Sequence, residues 1–588
     1  MKVGGLREGT QLSIVIALSI IIAVIAIEST NYFEYGGNLV VKEYKADFYP
    51  DGYLNENYEY DIKGQYTMLY RVWDVPLVYN NSHFEPYVEL ISINCSYISY
   101  VKDWDGDVYI SDTNYSYDVY EKAYYNEAGC YNPNHYEKGL HKIGFSYKIY
   151  PPVQYDDEFY HMNIKFASTH VPYENFEIVV HDENGSIYKI YPHPPMHIEK
   201  NGSNYVIRGR SQKNGLIEIE FLLKNYTDGR FLQKMDGIKE RTEKANERYY
   251  FNYKLASIYS KAMQTLVLIF PLILIAIYLA IGREKRYTVP EYLSFVPKKR
   301  KPWQVNLLFK GDATKFDENG FYATLLDLHR RGIIEIEHSN DDLRIKILKE
   351  HGDDEYEDRV IKFLRKYGED NIFSAKEFRE MIDGIESVGE ITLIRDDLNK
   401  LHKVKDAKEF IVNGRAFMAL FLIAAIALFF ISLFLYISYF DSYPVIFSAL
   451  SFSFFFMLQF GIATAAPSTL FGHWKKDYYK EKLEWDAFKK FLLDMAQLKK
   501  YESQDISIWK EWLVYATALG IGKKVAKEFK KLNIELPETD YVPYTYIYFA
   551  SIHSSVNRKY SSLTGGSGSG GGGFGGGGGF GGGGAGGR

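Results

Sequence analysis

The run at residues 265–281, TLVLIFPLILIAIYLAI, constrains this chain more than any other stretch: seventeen residues, no ionisable side chain, and a proline at its centre. A bilayer accommodates such a segment as a helix, because the helix satisfies its own backbone while its side chains face hydrocarbon. Three further uncharged runs occur at residues 12–27, 416–440 and 445–466. The first, at ~1.5 Å per residue, covers ~24 Å against a ~30 Å hydrocarbon core. It follows Lys2 and Arg7, and Ala23-Val24-Ile25-Ala26-Ile27-Glu28 lacks a small-x-small cleavage pattern, so an uncleaved signal anchor is expected rather than a signal peptide. Only Asp441-Ser442-Tyr443-Pro444 separates the last two runs, which reads as a tight hairpin across the bilayer.

Basic residues give the runs a direction. Lys2 and Arg7 precede the first run; Arg283, Lys285, Arg286 and Lys298-Lys299-Arg300-Lys301 follow the second; Lys405, Lys408 and Arg415 precede the third; Lys475 and Lys476 follow the fourth. The loop between the third and fourth has neither lysine nor arginine. The positive-inside rule then predicts a cell-membrane protein with the N-terminus, 282–415 and 467–588 in the cytoplasm and 28–264 outside. All six Asn-x-Ser/Thr sequons, at Asn80, Asn94, Asn114, Asn184, Asn201 and Asn225, fall in the segment expected outside, as do the only cysteines, Cys95 and Cys130. Glycosylation and a disulfide both suit that compartment.

The expected fold class is a multi-pass α-helical membrane protein with an extracytoplasmic all-β, sandwich-like domain and cytoplasmic α+β (winged-helix-like) and α modules. The expected boundaries are a signal anchor at 1–28, the β domain at 29–230, a juxtamembrane helix at 231–264, spans at 265–281, 416–440 and 445–466, cytoplasmic modules at 282–415 and 467–563, and a disordered glycine-rich tail at 564–588. Alternation such as Tyr58-Glu59-Tyr60-Asp61-Ile62 is the strand signature, and Asp51-Gly52, Asp105-Gly106, Asn184-Gly185, Asn201-Gly202 and Asn214-Gly215 are turn formers. These predict an antiparallel sandwich. Of 52 tyrosines, 34 lie between residues 28 and 264, which suits sheets whose rings pack inward while the hydroxyls stay wet. Pro271 is expected to kink the second span.

In the first cytoplasmic module a helix over residues 319–331, then Gly332, a strand Ile333 to Glu337, a turn at Ser339-Asn340-Asp341-Asp342 and a strand Leu343 to Leu348 read as winged-helix-like. Residues 301–400 carry 16 Lys/Arg against 23 Asp/Glu, which disfavours nucleic acid and favours protein packing. In the second module Trp485, Phe488, Leu492 and Met495, then Trp509, Leu513, Ala516 and Leu519, recur at helical spacing. Beyond Leu563 the chain is nearly pure glycine, broken by Phe574, Phe580 and Arg588.

Several stretches resemble the YciQ-like predicted membrane proteins, the family of domain of unknown function 2207. They are Ala323-Thr324-Leu325-Leu326-Asp327-Leu328 with Arg331-Gly332 and Ile334-Glu335-Ile336; Trp485 with Phe488 and Phe491; Trp509 with Leu513-Val514-Tyr515-Ala516-Thr517-Ala518-Leu519-Gly520; and the glycine-rich tail. The resemblance implies an external β domain, membrane helices and cytoplasmic helical modules, and it carries over no catalytic residues.

No catalytic or cofactor-binding constellation is expected, and no metal. Asp103-Trp104-Asp105-Gly106-Asp107 begins like a calcium loop but has Val108 where that loop needs glycine, and the prolines of His193-Pro194-Pro195-Met196-His197 exclude a helical imidazole pair. No phosphate-cradling loop or nucleophile elbow is present, so no enzymatic activity is expected. The leading functional expectation is a binding, scaffold or sensor protein contacting the lipid bilayer, protein partners on both sides and, in a homo-oligomer, itself. The alternative is an oligomeric channel or transporter component lined by Ser448, Ser451, Ser453, Gln459 and Thr464.

Overall fold

The computed structural model describes the chain except residues 1–7, 340–341, 403, 405–406, 495–497, 499–505, 533–535 and 565–584. The expected turn residues Asn340 and Asp341, Met495, Phe574 and Phe580 lie outside the described residues. Among the described residues four helices are long and apolar enough to cross a membrane: Glu8–Tyr35, Ile238–Gly282, Gly414–Tyr439 and Ile446–Ala465. The chain divides into two compact units, one of residues 1–18, 271–422 and 460–574, the other of residues 19–270, 423–459 and 575–588.

The second unit holds the β domain. Along Tyr53–Ile62 alternate residues Leu54, Glu56, Tyr58, Tyr60 and Ile62 are buried, as one-sided period-two strands require. This strand pairs antiparallel with Leu39–Phe48 across the Asp51-Gly52 turn. Gly52 has φ +101°, and a Cβ there would lie 2.3 Å from the Ile149 carbonyl oxygen, so no other residue fits. At Asn214-Gly215 it is the asparagine that takes the positive φ, at 58°. Leu39–Phe48 and Tyr53–Ile62 are neighbours in an eight-stranded sheet, but Leu39–Phe48 pairs in parallel with Tyr173–His181 on its other side. The expected wholly antiparallel sandwich is therefore corrected to a mixed one: the first strand sits in mid-sheet, and a long excursion of chain returns to cover its free edge. A five-stranded sheet built on Ile217–Leu223 and Tyr160–Ala167 packs against it through Phe48, Phe166 and Phe221, with ring centroids 5.4–5.8 Å apart.

Tyr44, Tyr58, Tyr60, Tyr147 and Tyr173 are buried whole, hydroxyls included, which corrects the expectation that their hydroxyls stay wet. They surround a buried ion pair. Arg71 Nε donates to Glu56 at 3.3 Å, Arg71 Nη2 donates to the Phe166 carbonyl at 2.8 Å, and the Tyr44 hydroxyl donates to Glu56 at 2.8 Å. A charge this deep requires such partners.

Residues 231–237 do not begin the expected juxtamembrane helix. Leu232–Lys234 is an edge strand on Val153–Tyr155, and the helix starts at Ile238. It then runs unbroken to Ile277 through Pro271 and widens to a π turn at Tyr278–Gly282. Within this unit the spans are joined by polar groups. Gln459 Nε2 donates to the Ser19 and Val267 carbonyls, each at 3.1 Å. Ser451 bonds Thr30 at 2.6 Å, and Ser448 donates to Glu34 at 2.5 Å.

In the other unit the Glu318–Arg330 helix is capped by Asp317, which accepts from Asn319 N at 3.0 Å. The hairpin Ile334–Ser339 with Asp342–Ile347 follows, and Ile372–Ser374 adds a third strand. The two modules expected to be separate share one core. Phe309 stacks on Trp485 at 5.9 Å and Phe321 meets Phe549 edge-on at 4.9 Å, so helices from either side of the 416–466 hairpin bury each other's apolar faces. Neither set covers its stripe alone.

Candidate peptide-binding site

A third sheet of the β domain has the order Ala585–Gly587, Met68–Val72, Glu127–Tyr131, Ile98–Lys102, Val108–Ile110. Its outermost strand is the far end of the glycine-rich tail, so the expectation of disorder over 564–588 is corrected for residues 585–588, while residues 565–584 lie outside the described residues. Ala585, Gly586 and Gly587 oppose Arg71, Tyr70 and Leu69 in antiparallel register. Thr67 N and Met68 N donate to the Arg588 carbonyl oxygen at 2.7 and 2.9 Å, Arg588 N donates to Met68 O at 3.0 Å, and Val171 N donates to Ala585 O at 3.0 Å.

The site selects its side chains sterically and electrostatically. Ala585 is fully buried. A Cβ on Gly586 would come within 2.6 Å of the Tyr70 ring, and one on Gly587 within 2.6 Å of Leu39 Cδ2. The Arg588 guanidinium lies between two rings, 4.4 Å from the centroid of Tyr70 and 3.9 Å from that of Tyr124, and its Nη2 donates to Glu127 Oε2. Glu127 is fully buried. Its other oxygen accepts from the Tyr100 hydroxyl at 2.6 Å, and Tyr124 N donates to Oε2 at 3.2 Å. Burial pushes its carboxyl up to about 7, against the pull of Arg588 and these donors. The edge of Met68–Val72, a pocket for arginine and space only for small residues before it hold the extended Ala585-Gly586-Gly587-Arg588 segment.

Cys130, on the adjacent strand, is bonded to Cys95, with Cα atoms 6.0 Å apart, which ties this sheet to the eight-stranded one. All six sequon asparagines, Asn80, Asn94, Asn114, Asn184, Asn201 and Asn225, are exposed. Asp103 turns inward and caps its own loop, accepting from Asp105 N and Asp107 N at 3.1 and 2.9 Å.

A second polar site joins the β domain to the helix that enters the second span. Asn246 Nδ2 donates to Glu220 at 2.6 Å and to the Thr242 carbonyl at 2.9 Å, so its Oδ1 is left to accept from His193 Nε2 at 2.8 Å. His193 Nδ1 also donates, to Glu218 at 2.8 Å. With both ring nitrogens donating, His193 is an imidazolium. Burial pulls its pKa down, but Glu218, Asn246 and Glu220 outweigh that and hold it above its ordinary 6.5. Glu218, pushed up by burial, is brought below 4.5 by His193, Asn163 and Lys165.

Of the residues singled out in the sequence, Cys95 and Cys130 meet. Pro271 lies inside the Ile238–Ile277 helix, and the serines, Gln459 and Thr464 of the fourth span are engaged in backbone or interhelical bonds. Tyr70, Tyr124 and Glu127 carried no local signal, since only strand pairing assembles them. Arg588 did stand out, as the one charge in a glycine tract.

The motifs at Ala323–Leu328, Trp485, Phe488, Phe491, Trp509 and residues 513–519 are buried in the core of the other unit. The family described as predicted membrane protein (DUF2207) matches this chain with its N-terminal domain at residues 40–223 and its C-terminal domain at 289–529. No curated protein matches it. With the family's two domains covering most of its length, the chain belongs to the DUF2207 family of predicted membrane proteins.

Proposed function

We propose that this chain is a non-enzymatic binding protein of the cell membrane, in which an extracytoplasmic β domain captures an extended small-Gly-Gly-Arg peptide and a stem helix links that domain to cytoplasmic interaction modules. The observation that carries the reading is the strand at residues 585–587 seated on Met68–Val72, with Arg588 held by Glu127, Tyr70 and Tyr124. The charge distribution around the four spans supports the orientation, as do a disulfide and exposed sequons in the β domain. The helix, hairpin and acidic balance of 302–401 support a winged-helix-like module that packs on protein. The fourth span's polar side chains are occupied in backbone or interhelical bonds, which supports an anchoring role over a conducting one.

The expected orientation puts 467–588 in the cytoplasm, whereas residues 585–588 lie against the β domain that is expected outside. The peptide chemistry therefore has two sources, this chain's own tail or an external protein with the same ending. The test uses the chain lacking residues 585–588, in detergent or nanodiscs, and a fluorescent peptide ending Ala-Gly-Gly-Arg. Saturable binding, at least tenfold weaker for the Ala-Gly-Gly-Glu peptide and competed by restoring 585–588, supports the proposal; equal binding of both peptides, or none, overturns it. An epitope tag after Arg588 that antibodies reach on intact cells identifies the chain's own tail as the occupant, and an inaccessible tag identifies an external protein.

A further inference from the structure

We propose that Glu318, His402 and His553 form a binding site for one divalent transition-metal ion of the Zn2+ class, which staples three helices of the helical unit. Glu318 opens the Glu318–Arg330 helix, His402 follows the Val388–Leu401 helix, and His553 lies within Glu538–Thr564. One ligand atom from each lies within 4.8 Å of the others. Bonds of ~2.0–2.2 Å to a tetrahedral ion place ligand atoms ~3.3 Å apart, so small side-chain rotations close the set.

The orientation of His402 points to a ligand. Its Nδ1 faces the Leu398 carbonyl at 3.2 Å, which fixes the proton on Nδ1 and leaves the Nε2 lone pair free. Nε2 is buried and has no hydrogen-bond partner. Backbone support on one imidazole nitrogen and an open lone pair on the other is how metal-ligating histidines are prepared. The two imidazoles are 5.0 Å apart between centroids, close enough to share one ion. Glu318 is oriented by the Tyr322 hydroxyl, which donates to Oε2 at 3.1 Å. Two imidazoles and one carboxylate suit Zn2+ or Co2+ rather than Mg2+ or Ca2+, which take oxygen ligands. The three residues come from both sides of the 416–466 membrane hairpin, so the ion joins the stretches that the hairpin separates.

The test is metal binding by the full chain, purified in nanodiscs, stripped with a chelator and titrated with Zn2+ or Co2+ alone. The expected result is one ion per chain, visible Co2+ absorption of the low-symmetry kind, and a higher unfolding midpoint with Zn2+. Glu318→Gln and His402→Ala should each weaken binding at least tenfold, with the metal-free unfolding midpoint reporting whether each variant folds. Should His402→Ala not fold, Glu318→Gln, which keeps the side-chain shape, decides alone. No stoichiometric ion in the unmodified chain, or affinity unchanged in a folded variant, overturns the proposal, the latter meaning adventitious binding elsewhere.

Discussion

His193 and Asn246 face each other at 2.8 Å, and because the asparagine amide is committed to Glu220 and Thr242, the histidine is the donor. A β-domain strand thereby grips the helix that enters the membrane through a charged hydrogen bond, with Tyr249 packed on the ring at 4.4 Å. The charged groups facing the imidazole are Glu218 and Glu220, with Tyr249 and Tyr250 beside it and His161 bonded to Glu220 from behind.

This junction should depend on pH. His193 is held above its ordinary 6.5, so its contribution is complete below that value and lost as pH rises through the folded pKa. Glu218 is held below its ordinary 4.5, so its contribution is complete above that value and lost as pH falls through the folded pKa. Protection of the stem helix against protease should peak between these ordinary values and decline toward alkaline pH. His193→Gln should flatten the alkaline limb, and an unchanged profile in that variant would exclude the histidine.

Glu127 predicts a second, opposite dependence. With Arg588 docked its carboxyl sits at about 7, and without that cation it lies higher. Only the anion pairs with arginine, so affinity for the Ala-Gly-Gly-Arg peptide should rise with pH through about 7 and level off above the empty site's pKa. Glu127→Gln should remove the dependence and weaken binding by about 1.5–3 kcal/mol, the range for a hydrogen bond to a charged group. Fluorescence anisotropy of the peptide across pH 6–9, a range of about three units around that value, is the measurement.

Arg71→Met leaves the Glu56 carboxyl in the core without its cation, and should destabilise the β domain by about 3–5 kcal/mol in chemical unfolding. Replacing both, Arg71→Met with Glu56→Gln, should recover a large part of that loss.

Gln459→Leu breaks the bonds to Ser19 and Val267 but also removes the buried, unpartnered Oε1. A loss of about 1 kcal/mol or less in mixed-detergent unfolding is expected, the usual scale for hydrogen bonds between membrane helices.

The four spans were legible because a bilayer demands long uncharged helices, and a one-dimensional pattern records that demand directly. Strands were legible by the same logic at period two, and turns by Asp-Gly and Asn-Gly pairs. Cys95 and Cys130 were legible as a pair because no third cysteine competes. Partner choice was not legible. Alternation says that Leu39–Phe48 is a strand but not that Tyr173–His181 lies parallel beside it, since either neighbour buries the same face. A glycine tract reads as disorder by composition, and only the groove made by Tyr70, Tyr124 and Leu39 rewards the absence of side chains at residues 586 and 587. Glu127 with Arg588, and Glu318 with His402 and His553, are likewise far apart in the chain and carry no spacing signal. The sequence by itself determined which segments are apolar, alternating or charged, because those are properties of each segment alone. Tertiary structure decided which buried charge meets which partner, because that energy belongs to the pair and exists only once the fold brings the two together.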